Sequence, residues 1–187
     1  KYLNIKSTEE INFFSLKYKN KFDNHILLDD KKLNIGIAWS GNKEYFLDTY
    51  RSIPFKYFKN ILNLKDINFF KLSKDLRDED KDKFTLYPNL IDLSKRSLAE
   101  VSDYIKHLDL VISSDTSIIH LAGILNKKSI LLLNYNSDWR WFDGINNTVW
   151  YPSVQVIKQS KFNSWNEVFT KLEKKLEKLK LDKKKPE

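Results

Sequence analysis

Three stretches of this 187-residue chain gather side chains that could bind an anion or a polar ring. The first is Ser40-Gly41-Asn42, followed by Arg51. It offers hydroxyl and amide donors, a glycine that would let a ligand approach the backbone, and a cation. The second is Ser113-Ser114-Asp115-Thr116-Ser117, with His120 three residues further on. Hydroxyls beside the free N–H groups of a helix start make an anion site. Ser117 and His120, three apart, fall on one helix face. The third runs from Asn134 to Pro152 and contains Asp138-Trp139-Arg140-Trp141-Phe142 and Trp150-Tyr151-Pro152. Tryptophans at that density could stack on a planar or sugar ring. Each stretch also has a plainer reading: a turn with a surface arginine, an N-cap aspartate beside a core histidine, and a loop held over a sheet edge by its own aromatics. Neither G-x-x-x-x-G-K-[ST] nor G-x-G-x-x-G occurs, so the common nucleotide fingerprints are missing.

The elements that must position these groups follow from the apolar pattern. Strands are predicted at 33–39, 67–72, 90–93, 110–112, 129–133 and 154–157, each a short apolar run bounded by turn residues. Helices are predicted after Ser52-Ile53-Pro54, from Ser97-Leu98-Ala99-Glu100, over 118–125, and from Ser164-Trp165-Asn166-Glu167. The two Ser-x-x-Glu sequences read as capping boxes. Leu98, Val101, Ile105 and Leu108 are expected inward. The first 30 residues read as an amphipathic helix, and the end from Lys183 as frayed. Continuous apolar strands alternating with helices imply an α/β domain, a doubly wound parallel sheet of Rossmann-like type. Ligands bind such sheets outside the C-terminal ends of the strands, which is where all three stretches fall.

Composition narrows the chemistry. Cysteine is absent, which excludes disulfides, thiolate metal sites and cysteine nucleophiles. Only His25, His107 and His120 are available, so zinc would need carboxylates; no metal and no cofactor is expected. No apolar run approaches membrane-spanning length, and a soluble, cytoplasmic protein is expected. The chain begins Lys1-Tyr2-Leu3 and has no methionine, from which a piece of something longer is expected. The net charge is +8; from 171 to 187 eight lysines face four acids, a net of +4. Of 33 basic residues only Arg51, Arg77, Arg96 and Arg140 are arginines. A lysine- and asparagine-rich coding bias explains this as well as a polyanionic partner does, and no nucleic-acid module is visible.

The segments I-G-I-A-W-S-G-N (35–42), R-S-I-P-F (51–55), D-L-V-I-S-S-D-T-S-I-I-H-L-A-G (109–123), D-W-R-W-F (138–142) and W-Y-P-S (150–153), in this order, resemble the C-terminal domain of bacterial glycosyltransferases. These are the tetratricopeptide-linked enzymes related to heptosyltransferases. The resemblance implies the C-terminal half of a GT-B fold. Residues 1–32 would then be a helical connector from a missing N-terminal domain, 33–180 the nucleotide-sugar-binding domain, and 181–187 a frayed basic tail. It implies a nucleotide-diphosphate sugar as donor, with Ser40, Gly41, Asn42 and Arg51 at the diphosphate and Leu72-Ser73 at the base. Thr116, Ser117 and His120 would meet phosphate or sugar, Asp115 would order the loop or take a hydroxyl, and Asp138 and Trp139 would border the cleft. The general base and the acceptor site would lie in the N-terminal domain, so no catalytic residue is expected here and the isolated fragment should be inactive. Two segments depart from the family pattern: Lys71-Leu72-Ser73 stands where many relatives read S-L-Q, and Asp48-Thr49-Tyr50 replaces an arginine-rich run. Two rivals remain, a catalytically inactive binding domain and a basic module for nucleic acid or a membrane surface.

Overall fold

Branched and aromatic runs pair into one six-stranded sheet. In the computed structural model the described residues are 28–184, except 47, 76, 81, 82, 84, 85 and 142–147. Apart from its last residues, the helix expected over the first 30 positions lies outside them. The strands are β1 (Leu33–Ala38), β2 (Ile67–Lys71), β3 (Leu90–Asp92), β4 (Leu110–Ser113), β5 (Ser129–Leu133) and β6 (Val154–Lys158). Their order is β3-β2-β1-β4-β5-β6 and every pairing is parallel. From β1 the chain winds outward through β2 and β3, then returns to the other side of β1 and winds through β4, β5 and β6. The loops after β1 and β4 therefore diverge, and a crevice opens between them.

Alternation of side chains across the pleat sends β1 residues to two cores. Leu33, Ile35 and Ile37, with Trp39 beyond the strand end, pack with a 3₁₀ turn at Phe55–Phe58, with α2 (Lys59–Leu62) and with α5 (Trp165–Lys183). The Trp39 ring lies 5.1 Å from Phe55 and 5.7 Å from Phe58. On the opposite face Ala38, Phe70, Leu72 and Val111 meet α3 (Leu98–His107) and α4 (Ser117–Ile124). Each large apolar side chain so buried contributes about 1.5–3 kcal/mol. Helices on both faces make the sheet doubly wound, as the apolar runs imply.

Helix ends account for most departures from the sequence reading. At α3 the capping box forms: the Ser97 hydroxyl accepts from Glu100 N–H, and the Glu100 carboxylate accepts from Ser97 N–H. Leu98, expected inward, is instead 56% exposed, because the first helical position looks over the crevice rather than the sheet. At α5 no side-chain cap forms on Ser164. Glu167 turns back to accept from the Ser160 amide and hydroxyl and from the Ser164 hydroxyl. These bonds lower its carboxyl to about 2. The segment from 181, expected as a separate basic tail, begins inside a helix. Helix α5 continues to Lys183, whose ammonium donates to Asp109 Oδ2 at 2.7 Å and to the Lys32 carbonyl at 2.8 Å. Lys184 reaches Asp66, and residues 185–187 lie outside the described ones. Among the described residues no helix is long and apolar enough to cross a membrane.

Candidate functional site

The crevice at the β1/β4 divergence holds a cavity of about 430 Å³. Eight residues singled out from the sequence line it: Ser40, Gly41, Asn42, Arg51, Leu72, Ser73, Thr116 and Ser117. Its floor is tied together by short polar contacts. Ser73 Oγ accepts from the Trp39 amide at 2.9 Å, and the Ser40 hydroxyl donates to the Asp75 carbonyl. The loops after β1 and β2 are thus bound to each other, and Ser40 is nearly buried in doing so.

Gly41 N–H donates to Ser52 Oγ, and the position that a Cβ would take is filled by the Arg51 guanidinium, while the residue itself still lines the cavity. A Cβ there would lie 2.5 Å from an Arg51 terminal nitrogen. Arg51 is aimed by Asp48, both in the short helix α1 (Asp48–Arg51). Asp48 is buried and accepts from Arg51 Nε at 3.1 Å and Ser52 Oγ at 2.9 Å, while Arg77 donates to its carbonyl. The Tyr45 ring covers the other side of the guanidinium, 4.5 Å away. The arginine is therefore pre-positioned, with a terminal nitrogen left for a ligand oxygen.

At the α4 start Thr116 is the N-cap; its hydroxyl accepts from Ile118 N–H and contacts Ser113 Oγ at 3.0 Å. Ser117, exposed in the first turn, brings helix N–H groups to the cavity edge, where the helix dipole favours an anion. The helix closes at Asn126, whose φ of 51° is the left-handed stop that asparagine tolerates.

A second cavity of about 450 Å³ adjoins the first and shares Arg51. Tyr45, Tyr50, Asp115, Asn134, Asp138 and Arg140 are among its walls. Arg140 stands 3.3 Å from Asp138 and 3.9 Å from Asp115. Burial pushes the Asp115 carboxyl up, but the nearby His120 and Trp141 N–H groups and the Arg140 charge outweigh it and hold it below the usual carboxylate range. Both ring contacts are loose: His120 Nε2 is 3.7 Å from Asp115, and the Trp141 indole nitrogen makes no hydrogen bond of ordinary geometry. Asp115 is thus an ionised acceptor facing a polar cavity.

His120 and Trp139 line neither cavity. His120 sits behind Asp115, stacked on Trp141 at 5.1 Å, with Nδ1 3.1 Å from the Tyr151 hydroxyl. Gly123 makes room for Tyr151, since a Cβ there would come within 2.6 Å of the ring carbon Cδ1. Burial raises the Tyr151 phenol, although Arg140 works against it, so the hydroxyl stays protonated and can donate. Trp139 is 64% exposed. The sequence reading missed Asp48, Tyr45 and Arg140. Arg140 directly follows two residues that were singled out, Asp138 and Trp139, and its charge was the available signal. Asp48 had none, because a buried aspartate reads like any loop acid. Among the described residues no three His, Asp or Glu side chains gather as a metal would require.

Comparison with known proteins agrees with the fold. Among solved structures the fold is similar to E. coli heptosyltransferase WaaC with ADP, at a TM-score of 0.58 and 16% identity over 80% of this chain and 46% of that one. WaaC with ADP-2-deoxy-2-fluoro heptose gives 0.56 and 14%, over 80% and 45%. E. coli ADP-heptose lipopolysaccharide heptosyltransferase II gives 0.52 and 12%, over 92% and 52%. The chain thus spans about half the length of the heptosyltransferases it matches, and at these identities the likeness is one of fold. A search among curated proteins finds no sequence match. The profile of glycosyltransferase family 9 (heptosyltransferase) matches residues 78–174, just over half of the sequence and including the whole Asp115–His120 segment. The chain belongs to glycosyltransferase family 9.

Proposed function

We infer that this chain is the donor-binding half of a GT-B glycosyltransferase that moves a sugar from a nucleotide-diphosphate sugar to an acceptor hydroxyl or amide. The observation that carries this reading is the pre-positioned Arg51 at the junction of two cavities, facing the start of α4 across the β1/β4 crevice. A diphosphate at that junction meets a guanidinium on one side and helix N–H groups on the other. The nucleoside then extends into the first cavity toward Leu72 and Leu93, and the sugar into the second. Asp115, ionised, accepts from a donor-sugar hydroxyl, while His120 and Tyr151 act behind it as positioning residues.

The chain's own contribution to the reaction is electrostatic. As the glycosidic bond breaks, negative charge accumulates on the departing diphosphate, and Arg51 with the α4 N–H groups stabilises it. No residue here is assigned as the base that deprotonates the acceptor; that role falls to the other half of the enzyme, and this half alone turns nothing over. The test is calorimetric titration of uridine-, guanosine- and adenosine-diphosphate sugars into wild type and Arg51→Ala. One of the three should bind at millimolar concentration or tighter and weaken in the variant. Absence of binding by all three overturns the reading.

A further inference from the structure

Arg77 stands on the loop after β2 and lines neither cavity, yet it is the second cation on the acid that aims Arg51. Its terminal nitrogen Nη2 donates to the Asp48 carbonyl at 3.2 Å and lies 3.7 Å from Asp48 Oδ2. The other carboxylate oxygen, Oδ1, accepts from Arg51 Nε at 3.1 Å and from the Ser52 hydroxyl at 2.9 Å. Ser52 Oγ in turn accepts from the Gly41 amide. One carboxylate is thus divided between two guanidinium groups, with one oxygen turned to each.

That division matters because of where the acid sits. The Asp48 side chain is only 7% exposed, so water and salt screen it little. With Arg51 as its sole cation, such a carboxylate would cancel the arginine's charge. It would also draw the guanidinium into a two-oxygen pair, the geometry that arginine and carboxylate favour. Arg77 occupies the Oδ2 side and prevents both. The two arginines and one aspartate then carry a net of one positive charge, and of the two guanidinium groups Arg51 is the one that faces the cavities.

We propose that Arg77 is a positioning residue for diphosphate binding, acting through Asp48 to leave Arg51 with an uncompensated charge and a terminal nitrogen for the ligand. The same loop reaches the nucleoside end of the crevice. Ser73, Lys74 and Asp75 line the first cavity, and the Asp75 carbonyl accepts from the Ser40 hydroxyl. One segment therefore shapes the wall along the nucleoside and sets the cation at the diphosphate. The proposal deepens the donor-binding reading and rests on it.

Calorimetric titration of ADP, GDP and UDP into the 187-residue chain tests it, with circular dichroism to check that each variant is folded. For the diphosphate that binds wild type most tightly, Arg77→Met should weaken binding about five-fold. In an Arg51→Ala background the same change should have an effect of about two-fold or less, because Arg77 works only through Arg51. Asp48→Asn combined with Arg77→Met should regain most of the loss. The asparagine keeps an acceptor for Arg51 Nε and removes the charge that Arg77 had balanced. A merely structural role for Arg77 predicts no such rescue. Unchanged affinity in Arg77→Met overturns the proposal, as does an equal loss in the Arg51→Ala background or a double variant that binds no better than Arg77→Met. Each of those results leaves the donor-site reading standing. Absence of binding by all three diphosphates to wild type refutes that reading, and the proposal falls with it.

Discussion

Gly41→Ala is the substitution that separates the proposed site from the scaffold around it. A Cβ at 41 would lie 2.5 Å from Arg51 Nη2, 2.8 Å from Cζ and 3.0 Å from Nε. The backbone of β1 and its loop cannot give, so the guanidinium must move. In moving it loses the Asp48 contact and the Tyr45 face. The ion pair is partly screened, with the arginine side chain 25% exposed, and is worth about 1 kcal/mol. The ring contact adds about 0.5–1 kcal/mol. Urea unfolding should therefore register a loss of about 1–2 kcal/mol, leaving the protein folded.

Ligand affinity should fall further than that modest change suggests. A charge-assisted hydrogen bond contributes about 1.5–3 kcal/mol, or about ten- to a hundred-fold in the dissociation constant. Calorimetric titration of a nucleotide diphosphate should show that loss in Gly41→Ala and equally in Arg51→Ala. The double variant should match Arg51→Ala within about 0.5 kcal/mol, because both changes remove one interaction. Wild-type affinity in Gly41→Ala, or losses that add in the double variant, would show that Arg51 is not the group through which Gly41 acts.

Gly123→Ala should destabilise by about 1–3 kcal/mol, since its Cβ meets the rigid Tyr151 ring; unchanged thermal unfolding would refute the packing described. Glu167, lowered to about 2 from an ordinary 4.5, contributes stability that is fully present above pH 4.5 and fades as pH falls through about 2. Glu167→Gln should thus be less stable than wild type at pH 7, with the gap closing toward pH 2 in denaturant titrations. Asp92→Ala should cost about 1–2 kcal/mol more than Lys71→Met, because it takes two hydrogen bonds from an ammonium that stays buried, while Lys71→Met leaves no charge in the interior. Equal unfolding midpoints for the two variants would contradict that.

The central strands were legible because they are buried on both faces, which makes each a continuous apolar run whatever its neighbours do, while the edge strands β3 and β6 are only partly buried. Ser129 to Leu133 and Leu33 to Ala38 are buried at every residue. The order of strands was not legible residue by residue. The winding reverses beside β1, and that reversal supplies the one inference about the site that spacing alone cannot: the loops after β1 and β4 flank a single crevice. The helix ends were less readable, since Ser-x-x-Glu occurs at both Ser97 and Ser164, yet only the first closes its box. At Ser164 the nearby Ser160 amide offers Glu167 a better partner, and a motif read along the chain does not see it. His120 shows the same limit. Its three-residue spacing from Ser117 is real, but stacking on Trp141 turns the ring behind Asp115 and away from both cavities.

Arginine usage is where composition held more than was taken from it. A coding bias toward lysine and asparagine would explain the 29 lysines as well as a polyanionic partner does, but neither says which four positions keep arginine. The structure places those four together. Arg51 and Arg96 line the first cavity, Arg51 and Arg140 line the second, and Arg77 donates to the carbonyl of Asp48, the residue that aims Arg51. Lysine would supply the same charge at each position, but not a planar fork that can bind one partner and still offer a nitrogen to another. Arg51 does this with Asp48, and Arg140 with Asp138 and Asp115. In a chain this rich in lysine, an arginine that forks between partners, as Arg51 and Arg140 do, marks a place where a point charge would not serve. The lysine-rich tail, which carries half the net charge, is by this reasoning the part of the surface least informative about function.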